Sequence, residues 1–191
     1  SKLIDNQRNV IIDVPNYVYA DLSGEFLLDE LPNVFQNGIG QFLVNYEKKK
    51  TTPNQSFNFN INVQDNIVSY FVPDLYVQPD TNITGSADND ADLFEIHMVS
   101  PFIQYADYKA DSVNLFVTTL DDRAFNLDAK SLLIQNYLIQ DFKVNGHRQN
   151  DTIVANAHFW GGEQREGEFD LNFYQTFNEG TELKTGFSPS T

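Results

Sequence analysis

The sequence predicts an all-β fold, mainly antiparallel, with one short helix, and three observations carry that expectation. Apolar and polar residues alternate with period two in several segments. Clusters of Asn, Asp and Gly separate those segments, as they do where a backbone turns tightly. Phe (16) and Tyr (9) far outnumber Trp (1), Val, Ile and Asn are frequent, and Ala-, Glu- or Leu-rich stretches are few, a bias toward strands.

Taken along the chain, short strands are expected over 10–14 and 17–28. Next, Leu31, Val34, Phe35 and Ile39 stand at helical spacing, with Pro32 suited to a first turn and Gly38 to a stop, so the segment reads as a short helix laid over the sheet. A further strand is expected over 41–46, and residues 47–55 read as a long polar loop, the one candidate for an internal boundary. Phe57, Phe59, Ile61 and Val63 alternate with Asn58, Asn60 and Asn62, the clearest strand of all. Residues 67–72, before Pro73, read as a helical turn or a strand. Alternation returns at 94–98, 113–117, 153–159 and 169–173, with weaker strands over 83–87 and 132–144. Turns are expected at Asp65-Asn66, Asp88-Asn89-Asp90, Asp121-Asp122, Asn145-Gly146, Gly161-Gly162 and Asn178-Glu179-Gly180. The whole reads as a single β domain over 1–191.

A net charge of −15 argues against nucleic acid as a partner, because such a surface repels phosphates. The absence of cysteine excludes disulfides and thiolate metal sites. No apolar run approaches the roughly 18 residues of a membrane-spanning helix. The chain begins Ser1-Lys2-Leu3 without a signal-peptide pattern, and the expectation is a piece of a longer chain whose export signal or anchor lies upstream.

Chemistry finds few footholds. His97 and His158 fall on polar strand faces, His147 follows a Gly turn, and none has metal-site spacing. Asp88, Asp90 and Asp92 resemble the start of a calcium loop, but Leu93 and Val99 stand where that loop needs Gly and Glu, so an acidic hairpin is expected. Glu163, Glu166 and Glu168 follow Gly161-Gly162 as a charged turn would. No nucleophile elbow or phosphate loop is present. The expectation is a non-enzyme without catalytic residues, cofactors or a bound metal.

The constellation with functional potential is collective, an apolar face shared by Phe57, Phe59, Ile61, Val63, Phe94, Ile96, Met98, Ile153, Phe159, Phe169, Leu171 and Phe173. Alternation alone leaves two architectures open. One is a closed β-sandwich with this face as its interior; the other is an open, curved sheet whose apolar side stays reachable. Small Ala155 and Ala157 among large neighbours leave room for a groove.

Several stretches resemble a known family: 21–26, then 30–40 with its Leu31-Pro32-Asn33-Val34-Phe35, Asn45-Tyr46, and the Phe57-Asn58-Phe59 strand. Val72-Pro73-Asp74-Leu75, residues 78–85, Ser100-Pro101, Gly161-Gly162 and residues 171–179 extend the likeness over most of the chain. Together they look like the TamB (translocation and assembly module) family in its Bacteroidetes form. That resemblance implies a β-taco-like trough with an apolar lining, within a large periplasmic protein anchored in the inner membrane. It also implies phospholipid movement between the membranes and outer-membrane protein assembly beside an Omp85-type barrel, with acyl chains or nascent outer-membrane strands as partners. The competing expectation is an extracellular carbohydrate- or protein-binding β-sandwich, for which Trp160 and the pair Tyr105 and Tyr108 are the aromatic candidates.

Overall fold

The computed structural model describes residues 2–4, 7–43, 46–66, 68–70, 72–120, 123–177 and 183–189. In chain order it contains β1 (Lys2–Ile4), β2 (Gln7–Val14), β3 (Val18–Glu25), helix α1 (Leu31–Gly40), β4 (Ser56–Val63), β5 (Leu75–Val77) and β6 (Thr81–Asp88). There follow β7 (Leu93–Tyr105), β8 (Tyr108–Thr118), β9 (Ala124–Ile134), β10 (Tyr137–Gln149), β11 (Thr152–Gly161), β12 (Gly167–Phe177) and β13 (Leu183–Pro189). A single 3-10 turn at Val68–Tyr70 settles the ambiguous 67–72 stretch, whose residues 67 and 71 lie outside the described ones.

All thirteen strands belong to one antiparallel sheet in which nearly every strand pairs with its sequence neighbour. The exception is local. β7 is long enough to pair with β6 through 93–99 and with β5 through 103–105, so β5 extends the line of β6 along the same edge. Short hairpins explain the meander, since two antiparallel strands need only a few residues to join. Several of those turns hold a non-glycine residue in the left-handed region, among them Asn16, Asp92, Ala106, Gln135, Asn150 and Arg165.

The sheet is open. Among the described residues it does not close into a barrel, and β1 and β13 each pair on one side only. This is a curved single sheet and not the closed sandwich that alternation also allowed. A bulge contributes to the bend: the β10–β11 register shifts between Gln140 and Lys143, where Asp141 has φ 49°. No helix among the described residues is long and apolar enough to cross a membrane.

Four readings of the sequence need correction. Leu132 to Val144 is not one strand, because Gln135 and Asn136 turn the chain between β9 and β10. Asn145-Gly146 is not a turn but part of β10; Gly146 is there because the Phe125 ring on β9 occupies the space a Cβ would need, 2.2 Å away. Gly38 does not end the helix, which runs on to Gly40; it brings α1 close to the Phe94 ring, 2.3 Å from where its Cβ would stand. Residues 41–43 form a turn after α1 and not a strand, while 44 and 45 lie outside the described residues. The expected turns at Asp121-Asp122 and Asn178-Glu179-Gly180 also lie outside them.

The core forms where α1 crosses the sheet. Val34 is buried, and Leu31 and Phe35 pack beside it onto Leu22, Phe57, Phe59, Ala87 and Phe94. The Phe35 ring meets Phe57, Phe59 and Phe94 at centroid distances of 5.8, 5.1 and 5.9 Å. Tilted and edge-on contacts of this kind suit the aromatic quadrupole. Polar bonds hold the helix from outside. Asn37 Nδ2 donates to the Lys49 carbonyl and its Oδ1 accepts from Lys49 N–H, tying the expected 47–55 loop to α1. Arg148 Nη1 donates to the carbonyls of Gln41 (2.7 Å), at the C-cap of α1, and Leu43 (3.3 Å), in the turn that follows.

Candidate functional site

Residues directly paired across antiparallel strands point to the same face, so the register converts sequence alternation into rows that run across the whole sheet. One row passes through Val10, Leu22, Phe59, Gly85, Ile96, Val117, Phe125, Gly146, Ala155, Phe173 and Phe187. The next passes through Ile12, Ala20, Ile61, Ile83, Met98, Leu115, Leu127, Val144, Ala157 and Leu171. Neither row contains a polar side chain from β2 to its end.

The opposite face is mostly polar, broken by Ile11, Val99, Phe116 and Val154. One of its rows reads Asp21, Asn60, Thr84, His97, Phe116, Asn126, Asn145, Asn156, Asn172 and Ser188. Its amides bond across strands: Asn82 Nδ2 donates to Asn60 Oδ1 at 2.9 Å, and Asn156 Nδ2 lies 3.3 Å from Asn172 Oδ1. Phe116 interrupts the polarity, but its ring sits edge-on to His97, at 6.4 Å.

The apolar face has two zones. Under α1, Phe57, Phe59 and Phe94 are at most 4 % exposed, and Val63, outside that cluster, is 4 % exposed, so these four expected lining residues are buried. Ile61 and Ile96 pack at the margin of that cluster, and Met98 is half-buried. The turn after α1 carries cover as far as β9, where Phe42 meets Phe125 with ring centroids 6.5 Å apart. Beyond it, Ile153, Phe159, Leu171 and Phe173 are half-buried and Phe169 is 39 % exposed. β11, β12 and β13 make their substantial contacts with neighbouring strands. Phe159 stacks on Phe169 at 5.1 Å with planes 19° apart, Phe142 joins them at 6.1 Å, and Phe173 meets Phe187 at 5.3 Å. The result is an apolar strip floored by the small side chains of Ala155 and Ala157.

The strip includes residues absent from the expected lining: Phe142, Val144 and Phe187 here, and Leu115, Val117, Phe125 and Leu127 nearer α1. The signal for Phe125 and Leu127 lay in the alternation of β9, which is as regular as that of β12. Val144 was hidden by the reading of Asn145-Gly146 as a turn.

The polar candidates have local partners. Asp88 Oδ1 accepts from the N–H groups of Asp90 (3.0 Å) and Ala91 (2.9 Å), Asp90 accepts from Asn54 N–H, and Asp92 pairs with Lys48. These bonds shape the β6–β7 hairpin and fasten residues 48–54 to it. His97 Nε2 lies 2.9 Å from Asn114 Oδ1. His147 is an exposed residue within β10. The Arg165 guanidinium lies 5.9 Å from the centre of the Trp160 ring, while Tyr105 and Tyr108 face each other, exposed, at the β7–β8 turn. Glu30 has a lowered pKa. Its carboxylate accepts from Thr52 N–H, Thr52 Oγ1 and Gln55 Nε2, and the Thr52 backbone bond chiefly holds its pKa below the usual range.

No family model, curated protein or solved structure matches this chain.

Proposed function

We propose that this chain is a non-catalytic scaffold that offers the open part of its apolar face to phospholipid acyl chains. The observation that carries the reading is the pair of uninterrupted apolar rows, covered by α1 on one side and left half-exposed on β11 to β13. Soluble monomers rarely leave contiguous apolar surface of that kind without a use for it. Each methylene moved from water onto such a surface gains about 0.8 kcal/mol, so an extended row suits an alkyl chain. The acidic charge and the Asn-rich reverse face keep such a protein dissolved.

The resemblance to the TamB family supports placing the chain in a longer periplasmic protein tied to the inner membrane. There it would act in lipid transfer or outer-membrane protein assembly with an Omp85-type barrel. An unpaired strand edge is also a template for continuing a sheet, which suits β13 as the point where neighbouring segments join.

The test is titration with a fluorescent fatty acid. We expect saturable binding by the wild type, weakened at least tenfold by Leu171→Asp and by Phe173→Asp, because each places a carboxylate in the strip. Asn172→Asp, between them on the other face, should bind as wild type does. Equal binding by all four proteins, or no binding by the wild type, would overturn the proposal.

A further inference from the structure

A second site lies on the polar face, built by register alone. His158 of β11 pairs directly with Asp170 of β12, and Trp160 pairs with Glu168. Glu168 and Asp170 therefore stand on one face two residues apart, with His158 opposite one and diagonal to the other. His158 Nδ1 is 3.0 Å from Asp170 Oδ1, and His158 Nε2 is 3.8 Å from Glu168 Oε1. One donor atom from each of the three side chains lies within 4.8 Å of the other two.

We propose that His158, Glu168 and Asp170 bind a divalent transition-metal ion of the zinc class. An imidazole nitrogen among the donors favours such ions over Mg2+ and Ca2+, which prefer oxygen throughout. Two carboxylates beside a neutral imidazole match the charge of the ion. Donors bound tetrahedrally to zinc at about 2.0–2.2 Å stand about 3.4 Å apart, so the ion would part the 3.0 Å pair and draw in the 3.8 Å one, and the Glu168 side chain, 51 % exposed, is free to move by rotation. His158 also lines an open depression of about 390 Å³ toward β9 and β10, and Glu168 and Asp170 on its other side are exposed, which leaves the three donors open to water. The −15 net charge raises the local concentration of cations.

Lys130 of β9 and Lys143 of β10 line the same depression as His158 and oppose the ion. Lys143 of β10 pairs with His158 in register, but its partner on the other side is Asp128, which offers the ammonium an anion away from the site. The metal would link β11 to β12 next to the edge strand β13. The acyl-chain reading does not depend on it.

The test is calorimetric titration of the whole chain with zinc chloride at pH 7.5, beside thermal melting. We expect one saturable zinc per chain and a melting temperature that rises with zinc. His158→Gln and Glu168→Gln should each weaken binding at least about tenfold, by analogy with the loss seen when even outer-shell partners of a metal site are removed. His97→Gln and His147→Gln should leave it unchanged, as should excess magnesium. Glu168→Gln keeps the test decisive if His158→Gln fails to fold. Zinc binding that survives in a folded His158→Gln or Glu168→Gln, or that magnesium displaces, would overturn the proposal.

Discussion

At the scale of single residues, hydrogen-bond geometry explains more than composition does. Glu30 precedes α1 without capping it through its side chain; the carboxylate reaches across to Thr52 and Gln55 instead. Because its folded pKa is lowered, its contribution to stability is present above the ordinary carboxylate range and is lost as pH falls through the folded value. We expect Glu30→Gln to melt below wild type at pH 7, with the gap narrowing as the pH is lowered past the carboxylate range in calorimetric scans. Gly38 and Gly146 belong to the same scale. Each was legible as a glycine and misleading as a signal, since each accommodates a ring, Phe94 and Phe125 respectively, where a helix stop and a turn were expected. The His158, Glu168 and Asp170 group was illegible for a related reason: His158 stands ten and twelve residues from the two carboxylates, and only strand pairing gathers them.

At the scale of elements, α1 divides the sheet. Alternation announced β4, β7, β8, β11 and β12 because each has one wet and one dry side, and Leu31, Val34 and Phe35 announced the helix. What alternation does not encode is which dry sides the helix covers. Phe57 and Phe169 look alike in sequence, yet one is 2 % and the other 39 % exposed. The difference arises because the helix follows β3 directly and packs on the strands nearest to it, β4, β6 and β7. Truncation separates the two zones energetically. Phe94→Ala should cost about 3–5 kcal/mol of unfolding free energy through lost burial and a cavity among the rings. Phe187→Ala, at 72 % exposure, should change it by no more than about 0.5 kcal/mol. Urea denaturation curves of the two variants provide the comparison.

At the scale of the whole molecule, one sheet carries a continuous apolar surface and a mostly polar, amide-rich one, and the cover on the apolar surface stops partway. The hairpin connections make this possible, because β2 to β4 and β6 to β12 deliver their dry faces to the same side and all described strands stay in one sheet. The claim that joins fold to function is that the uncovered strip receives alkyl chains. The most direct measurement is methyl NMR of the Leu-, Val- and Ala-labelled protein, titrated with a short-chain phospholipid below its micelle concentration. We expect progressive shifts at Val144, Ala155, Ala157 and Leu171, with Val34 on the buried side of α1 and the buried Val63 unmoved; shifts scattered over the polar face, or none at the four strip residues, would contradict it.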